Sequence, residues 1–342
     1  MEFLKIDGSF GEGGGQIIRS TVTLSCITKI PVQIENIRKN RKTPGLRAQH
    51  LTSIKLLSKI CNAKVEGLEI GSTSIKFEPN EVESCSLKEN IGTAGSISLL
   101  LQVIIPAVAI AKKKLKLSII GGTDVLWSPT SNYTKYVLSE AYSRLGIDFS
   151  INIKKRGYYP KGGGTIDLEV FPSKNIVPIN LLERKTKDAK LFCSYSKISK
   201  DIISNLIENT RKKLEEKGFS VDSDVIEETA IDHGSSMLIF SNDSNSIIGS
   251  DGLYDSKKEK FSEDVSSEFL TCGLGVDNHL ADMLVLPASL SKEMSVFRVQ
   301  KISKHLETNL YVTSKITGCR YGVGKLADGY EIRITGDSDA SI

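Results

Sequence analysis

The chain has 342 residues, 39% hydrophobic and 25% charged, a globular composition that leaves little room for extended disorder. A formal net charge of +4 excludes a strongly basic nucleic-acid binder, so any contact with a polyanion has to come from a local patch. The longest apolar run, Ile97 to Ala111, is broken by Ser98 and Gln102 and falls short of the roughly 20 residues of a bilayer span, and the N-terminus lacks a basic stretch followed by an apolar one. No membrane association is expected, and a cytoplasmic protein is. Cys26, Cys61, Cys85, Cys193, Cys272 and Cys319 form no C-x-x-C pair and have no histidine at ligand spacing, so they read as buried thiols and not as a zinc site.

In chain order, periodicity predicts a strand at Phe3 to Asp7, a helix from about Gly13 to Thr28, a strand at Val32 to Ile37 and a helix from about Gly45 to Cys61. Short strands follow near Lys64 and at Ser74 to Phe77. In the second helix Leu51, Ile54, Leu57 and Cys61 recur at helical spacing and mark one buried stripe. A similar order returns as a helix from about Ala94 to Ala111, a strand at Lys116 to Ile120, a helix at Asn132 to Leu145 and strands at Asp148 to Lys154 and Gly164 to Val170. It returns again as a helix at Asn278 to Leu290, a strand at Ser295 to Arg298, a short helix from about His305, and strands near Arg320 and at Tyr330 to Thr335. Such self-similarity points to repeated supersecondary units packed around an axis.

Between the second and third sets, Lys190 to Ser194 reads as a strand and Ser199 to Lys217 as an amphipathic helix, with Ile203, Ile207 and Leu214 inside and Gly218 as its stop. Strands near Ser235 to Phe240 and Ser246 to Ile248 follow. The expected organisation is a body of residues 1–178 and 273–342 with a small inserted α/β domain at residues 179–272. The insert shows no aromatic platform of the kind single-strand binders use.

The densest chemical signal is Asp7-Gly-Ser-Phe-Gly-Glu-Gly-Gly-Gly-Gln16, a strand running through a glycine cluster into a helix. Glycines let backbone N–H groups approach phosphate oxygens, and the helix N-terminus adds partial positive charge. The run is neither a P-loop nor the dinucleotide fingerprint. Glu12 would repel a phosphate held by these amides unless a divalent cation bridged them, so it reads as a Mg²⁺ or Mn²⁺ contact. Arg19 lies one turn beyond Gln16. The stretch Arg38 to Arg47 carries five cations in ten residues, a density that suits a phosphate monoester gripped by guanidinium groups.

The corresponding loops in the later sets are Gly121 to Thr130 and Gln300 to Asn309, each preceding its set's second helix. Related by pseudo-threefold symmetry, the three loops would meet in one cleft lined by Arg38, Arg41, Trp127, Pro129 and His305. Of the histidines His50, His233, His279 and His305, only His305 sits at such a loop-to-helix junction. A neutral imidazole there can act as a nucleophile on phosphorus.

These runs together, Gly-Glu-Gly-Gly-Gly-Gln-Ile-Ile-Arg19, Arg38 to His50, Ile91-Gly-Thr-Ala-Gly-Ser96 with Gln102, Gly121-Gly-Thr-Asp124, His279 to Pro287 and His305-Leu-Glu-Thr-Asn309, resemble the RNA 3'-terminal phosphate cyclase family over nearly the whole chain. The resemblance implies an α/β (α+β) fold of three βαβαββ units around a pseudo-threefold axis, like the enolpyruvyl-transferase and cyclase superfold, with the smaller domain inserted before the third. It implies ATP as substrate with Mg²⁺ or Mn²⁺ at Glu12, and an RNA 3'-phosphate end as partner; a homodimer is left open. His305 stands where the family's histidine takes AMP from ATP. Arg19, Arg38, Arg41 and Gln49 fall in the family's phosphate pocket, and Gln102, Pro129, His279, Asp282 and Met283 fall where it binds nucleotide. Two positions depart from the family's usual residues: His279 replaces a tyrosine and Met283 a glutamine. The alternatives are a non-catalytic cyclase-like protein of ribosome biogenesis, whose kind lacks the histidine, and a carboxyvinyl transferase.

Overall fold

The computed structural model describes residues 2–261 and 265–337. The first unit comprises β1 (Leu4–Asp7), α1 (Gly15–Thr28), β2 (Val32–Glu35), α2 (Ala48–Ile60), β3 (Lys64–Glu66) and β4 (Ile75–Glu78). Its sheet has the order β1-β2-β4-β3, with β1 parallel to β2 and the other pairs antiparallel. The second unit comprises β5 (Cys85–Asn90), α3 (Ile97–Ile110), β6 (Leu115–Gly121), α4 (Ser131–Tyr133) running through a π-helical turn at Thr134–Leu138 into α5 (Ser139–Arg144), β7 (Phe149–Lys155) and β8 (Gly164–Val170). Its sheet order is β5-β6-β8-β7, with the same alternation of one parallel and two antiparallel pairs.

A two-residue strand, β9 (Asn180–Leu181), precedes β10 (Asp188–Ser196), α6 (Lys200–Glu215), β11 (Ser220–Glu227), β12 (Gly234–Asp243), β13 (Ser246–Asp255), β14 (Lys260–Phe261) and α7 (Val265–Thr271). The chain then continues through α8 (Asn278–Ala288), β15 (Ser295–Val299), α9 (Lys304–Thr317), β16 (Arg320–Lys325) and β17 (Tyr330–Thr335). β9 pairs with β15, across the whole intervening segment, in a sheet ordered β16-β17-β15-β9. Ile179 to Leu181, expected in the insert, therefore belong with the final sheet. β10 to β14 form a five-stranded sheet of their own in the order β11-β10-β12-β13-β14.

Local chemistry explains the elements. α3 is buried nearly all round and tolerates Pro106 because its packing, not its propensity, holds it. α6 buries only Ile203, Ile207 and Leu214, the stripe read from sequence, and the chain turns at Gly218 in the left-handed region. α9 runs for 14 residues, longer than the short helix expected, between the Ser303 cap and Gly318 at positive φ. β5 and β11 escaped the sequence reading because their residues are largely polar and half or more exposed, so no apolar alternation marks them.

One hydrophobic core runs from β1 to β17, and a second is made wholly of residues between Ala189 and Cys272. Arg156, buried at the end of β7, ties the two regions. Its guanidinium donates to Glu228 Oε2 at 2.7 Å, to Asn132 Oδ1 at 2.9 Å and to Asp124 Oδ2 at 3.2 Å, and its backbone N–H reaches Thr229 O at 3.0 Å. Burial works against its charge, but the carboxylates of Asp124 and Glu228 outweigh that and move its pKa upward. Arg156→Met would leave the fully buried Asp124 carboxylate without a cation and is expected to cost roughly 3–5 kcal/mol in urea unfolding. A loss under ~1 kcal/mol would mean that this network does not join the two regions.

Candidate active site

A cavity of about 620 Å³ opens where the three four-stranded units and the five-stranded sheet meet. Every candidate site residue from the sequence lines it: Glu12 and Arg19; Arg38, Arg41 and Gln49; Gln102; Pro129; His279, Asp282 and Met283; and His305. Lys39 and Lys42, part of the same basic run, are exposed and do not line it. Arg47, His50 and Asp251 line it without having been assigned a role from sequence.

The glycine cluster places the start of α1. Gly14 caps that helix without a side-chain acceptor, which leaves first-turn N–H groups free for an anion beside the cavity. Gly11 has φ +64°, and a Cβ there would meet Thr308 Oγ1 at 2.2 Å, so only glycine lets this turn lie against α9. At Gly15 a Cβ would sit 2.3 Å from His50 Nε2. His50 Nδ1 accepts the Arg47 backbone N–H at 3.1 Å, which leaves Nε2 to carry the proton of the neutral ring. Burial, then the charges of Arg19, Arg38 and Arg47, push its pKa down to about 3.

Arg19 is buried, and desolvation brings its pKa down to about 10. Nη2 donates to Gln16 Oε1 at 2.6 Å, but Nε is buried with no partner. Arg19 also lines the cavity, where a buried cationic side chain favours an anionic ligand. Arg38, with φ +53°, donates Nη1 to the carbonyls of Thr43 at 2.9 Å and Gly45 at 3.0 Å, which braces the basic loop from within.

His305 stands in the first turn of α9. Its Nε2 is 2.9 Å from Glu12 Oε2, and the other Glu12 oxygen pairs with Arg41. Ser303 caps α9 by accepting the Leu306 N–H at 2.9 Å, while its hydroxyl donates to Asp282 Oδ1 at 2.7 Å. Burial pushes Asp282 up to about 6. For His305 burial dominates and lowers the pKa below the usual 6.5; the Asp282 charge opposes this, and Arg19, His279 and Arg41 add to it. The balance favours the neutral ring, the form that can attack phosphorus.

His279 is set by Asp277, the α8 cap, which accepts the His279 and Leu280 N–H groups at 2.9 Å, the Tyr133 hydroxyl at 2.8 Å and the Gly249 N–H at 2.8 Å. Gln102 donates to Met283 Sδ at 3.6 Å, so these two side chains form one wall. Asp251, on β13, accepts the Thr130 N–H at 2.6 Å and is pushed up to about 6 by burial. The five-stranded sheet thus supplies part of the cavity wall through Asp251, Gly252 and Leu253. A carboxylate in a strand of alternating small residues carries no local sequence signal, which is why Asp251 escaped notice. Asp277, followed by a helical apolar pattern, is an N-cap signal that could have been read.

The RNA 3'-terminal phosphate cyclase family model matches residues 10–323. Proteins named RNA 3'-terminal phosphate cyclase are 38% identical in Methanosarcina barkeri, over 97% of this chain and 100% of that protein, and 37% identical in Pyrococcus furiosus, over 96% and 98%. The chain belongs to the RNA 3'-terminal phosphate cyclase family. Among solved structures, the enolpyruvyl transferase NikO from Streptomyces tendae aligns with TM-score 0.28 at 9% identity, and EPSP synthase from Acinetobacter baumannii with 0.30 at 11%. This chain covers 66% and 64% of those two, the alignments take in 99% and 97% of this chain, and the likeness is too slight to carry an argument.

Asp282→Asn removes a negative charge that raises the His305 pKa, so that pKa should fall further in an NMR titration of the imidazole protons. A rise would mean that the field at His305 is not set as described.

Proposed function

We propose that the chain converts an RNA 3'-terminal phosphate to a 2',3'-cyclic phosphodiester at the expense of ATP, through AMP carried on His305. The observation that carries this reading is that the His305 imidazole, its Nε2 2.9 Å from Glu12, lines the same cavity as Arg19, Arg38 and Arg41. In the first step a ring nitrogen of His305 attacks the α-phosphorus of ATP; an N–P bond forms as the bond to pyrophosphate breaks. The positive charge that develops on the ring is opposed by Asp282, while the α1 amides face the phosphates. In the second step an oxygen of the RNA 3'-phosphate displaces histidine from the adenylyl phosphorus, forming a P–O–P link. In the third the vicinal 2'-OH attacks the 3'-phosphorus, AMP leaves, and the ring closes; here orientation is most of what the protein must supply.

Arg19, Arg38, Arg41 and Gln49 would hold the RNA phosphate, and Gln102, Pro129, His279, Asp282 and Met283 the nucleotide. Among the described residues no group of three or more His, Cys, Asp or Glu side chains is set to hold a metal ion. A lone carboxylate completed by substrate phosphates is nevertheless an ordinary Mg²⁺ arrangement, and Glu12, beside the open α1 N-terminus, fits it. A divalent ion held there would neutralise phosphate charge during transfer.

We further propose that the three units are related by a pseudo-threefold axis through the cavity, supported by their shared strand order and by the cavity's lining from all three. The body would then be interrupted by an inserted domain that begins after Leu181 and ends near Cys272, supported by that segment's own core. A non-catalytic relative is the other reading, and the labelling experiment separates the two.

With α-labelled ATP and a divalent metal, label is expected to stay on the polypeptide and to vanish in His305→Ala. Arg38→Ala and Arg41→Ala should weaken use of a 3'-phosphorylated oligonucleotide more than they weaken self-labelling. No label on the wild-type protein would leave the non-catalytic reading, and equal loss of both steps would remove the arginines from the RNA end.

A further inference from the structure

Trp127 is the only tryptophan of the chain, and its side chain is 94% exposed, the highest value among the large hydrophobic residues described. It nevertheless lines the cavity, with the half-exposed Leu126 beside it. Its backbone has φ +62°, a region that a bulky residue enters only when its surroundings force it. The surroundings do so: Ser128 Oγ donates to Val125 O at 2.9 Å, the Thr130 N–H to Asp251 Oδ2 at 2.6 Å, and Ser131 through both N–H and Oγ to Thr123 O at 3.0 and 2.7 Å. Both ends of the loop are pinned while the indole makes no ring contact or hydrogen bond within the described residues. Folding alone gives no reason to hold the largest aromatic side chain in water on a strained residue.

We propose that Trp127 is a stacking platform for a base of the RNA strand next to its phosphorylated end. This rests on the reading of the site given above. The cavity can hold a nucleotide and a terminal phosphate, but a polymer has to leave it across the rim. A flat, exposed indole on the same cavity as a cluster of guanidinium groups is the combination that single-strand recognition uses: cations follow the backbone and an aromatic face takes a base of any identity. Adenine of ATP is the less suited occupant: Asp282 and Met283, two of the residues assigned to the nucleotide, are partly buried while Trp127 is almost wholly exposed, although Pro129 of the same loop is assigned to the nucleotide as well. Leu126 extends the apolar surface under the stacked base. The platform adds affinity without sequence preference, since every base offers a π-face.

Because no other indole is present, tryptophan fluorescence reports on this residue alone. Titration of the full-length protein with 3'-phosphorylated oligoribonucleotides should quench the emission, and the quench should disappear when one of the last two nucleotides is made abasic. Trp127→Ala should raise KM for the oligonucleotide by roughly tenfold, with Trp127→Phe close to wild type. The proposal is overturned if a fluorescein-tagged oligonucleotide binds by anisotropy without quenching the indole, if Trp127→Ala leaves KM unchanged, or if ATP alone accounts for the whole quench. Absence of AMP transfer to the wild-type protein would instead sink the functional reading, and the quench would still report whether RNA stacks there.

Discussion

The site depends on one side-chain amide. Asn309 of α9 donates to the carbonyl of Asp282 on α8 at 2.7 Å, while its oxygen accepts from Ser20 Oγ at 2.6 Å and Gln16 Nε2 at 3.2 Å on α1. This buried junction locks the helix after the glycine cluster to the helix that carries His305 in its first turn, two elements nearly three hundred residues apart in sequence. Gly11 completes it by letting the turn lie against Thr308. Without that junction Glu12 would not meet His305, and Gln16 would not brace Arg19. Polar groups fixed in this way by several partners give a single geometry where apolar packing alone would allow sliding.

Around that junction, burial sets the electrostatics. It holds Arg19 near 10 and His50 near 3, and it holds Asp251 and Asp282 near 6, each away from its value in water and each toward its uncharged form. Such desolvated groups cost stability in the empty protein, and an anionic ligand that reaches the arginines offsets part of that cost. Glu12 occupies the place of such a ligand, between Arg41 and His305.

The residues that line the cavity are legible in the sequence where each is an exception to a local rule. A carboxylate within a glycine cluster, five cations in ten residues and a histidine at a helix start all stand out against ordinary composition, and Glu12, His305 and three of those five cations line the same cavity. What could not be read is set by long-range pairing. β9 has only two residues and finds β15 across the intervening five-stranded sheet, so no window of sequence contains both halves of the pair. β5 and β11 are polar strands whose place comes from backbone pairing with β6 and β10. Asp251 reaches the cavity only because β13 packs beside the loop that ends at Thr130. Trp127 was legible as part of a convergent loop, but its exposure and its left-handed backbone are properties of the folded loop alone.

The claim on which the account turns is that the His305 imidazole forms a covalent bond to the adenylyl phosphorus. Digesting the ATP-treated protein under alkaline conditions, which preserve an acid-labile N–P bond, and sequencing the peptides by tandem mass spectrometry tests it directly. The account predicts one added adenylyl group, on His305 in the peptide that begins α9. An adenylyl group found on the neighbouring Lys304, or on any other side chain, would contradict it.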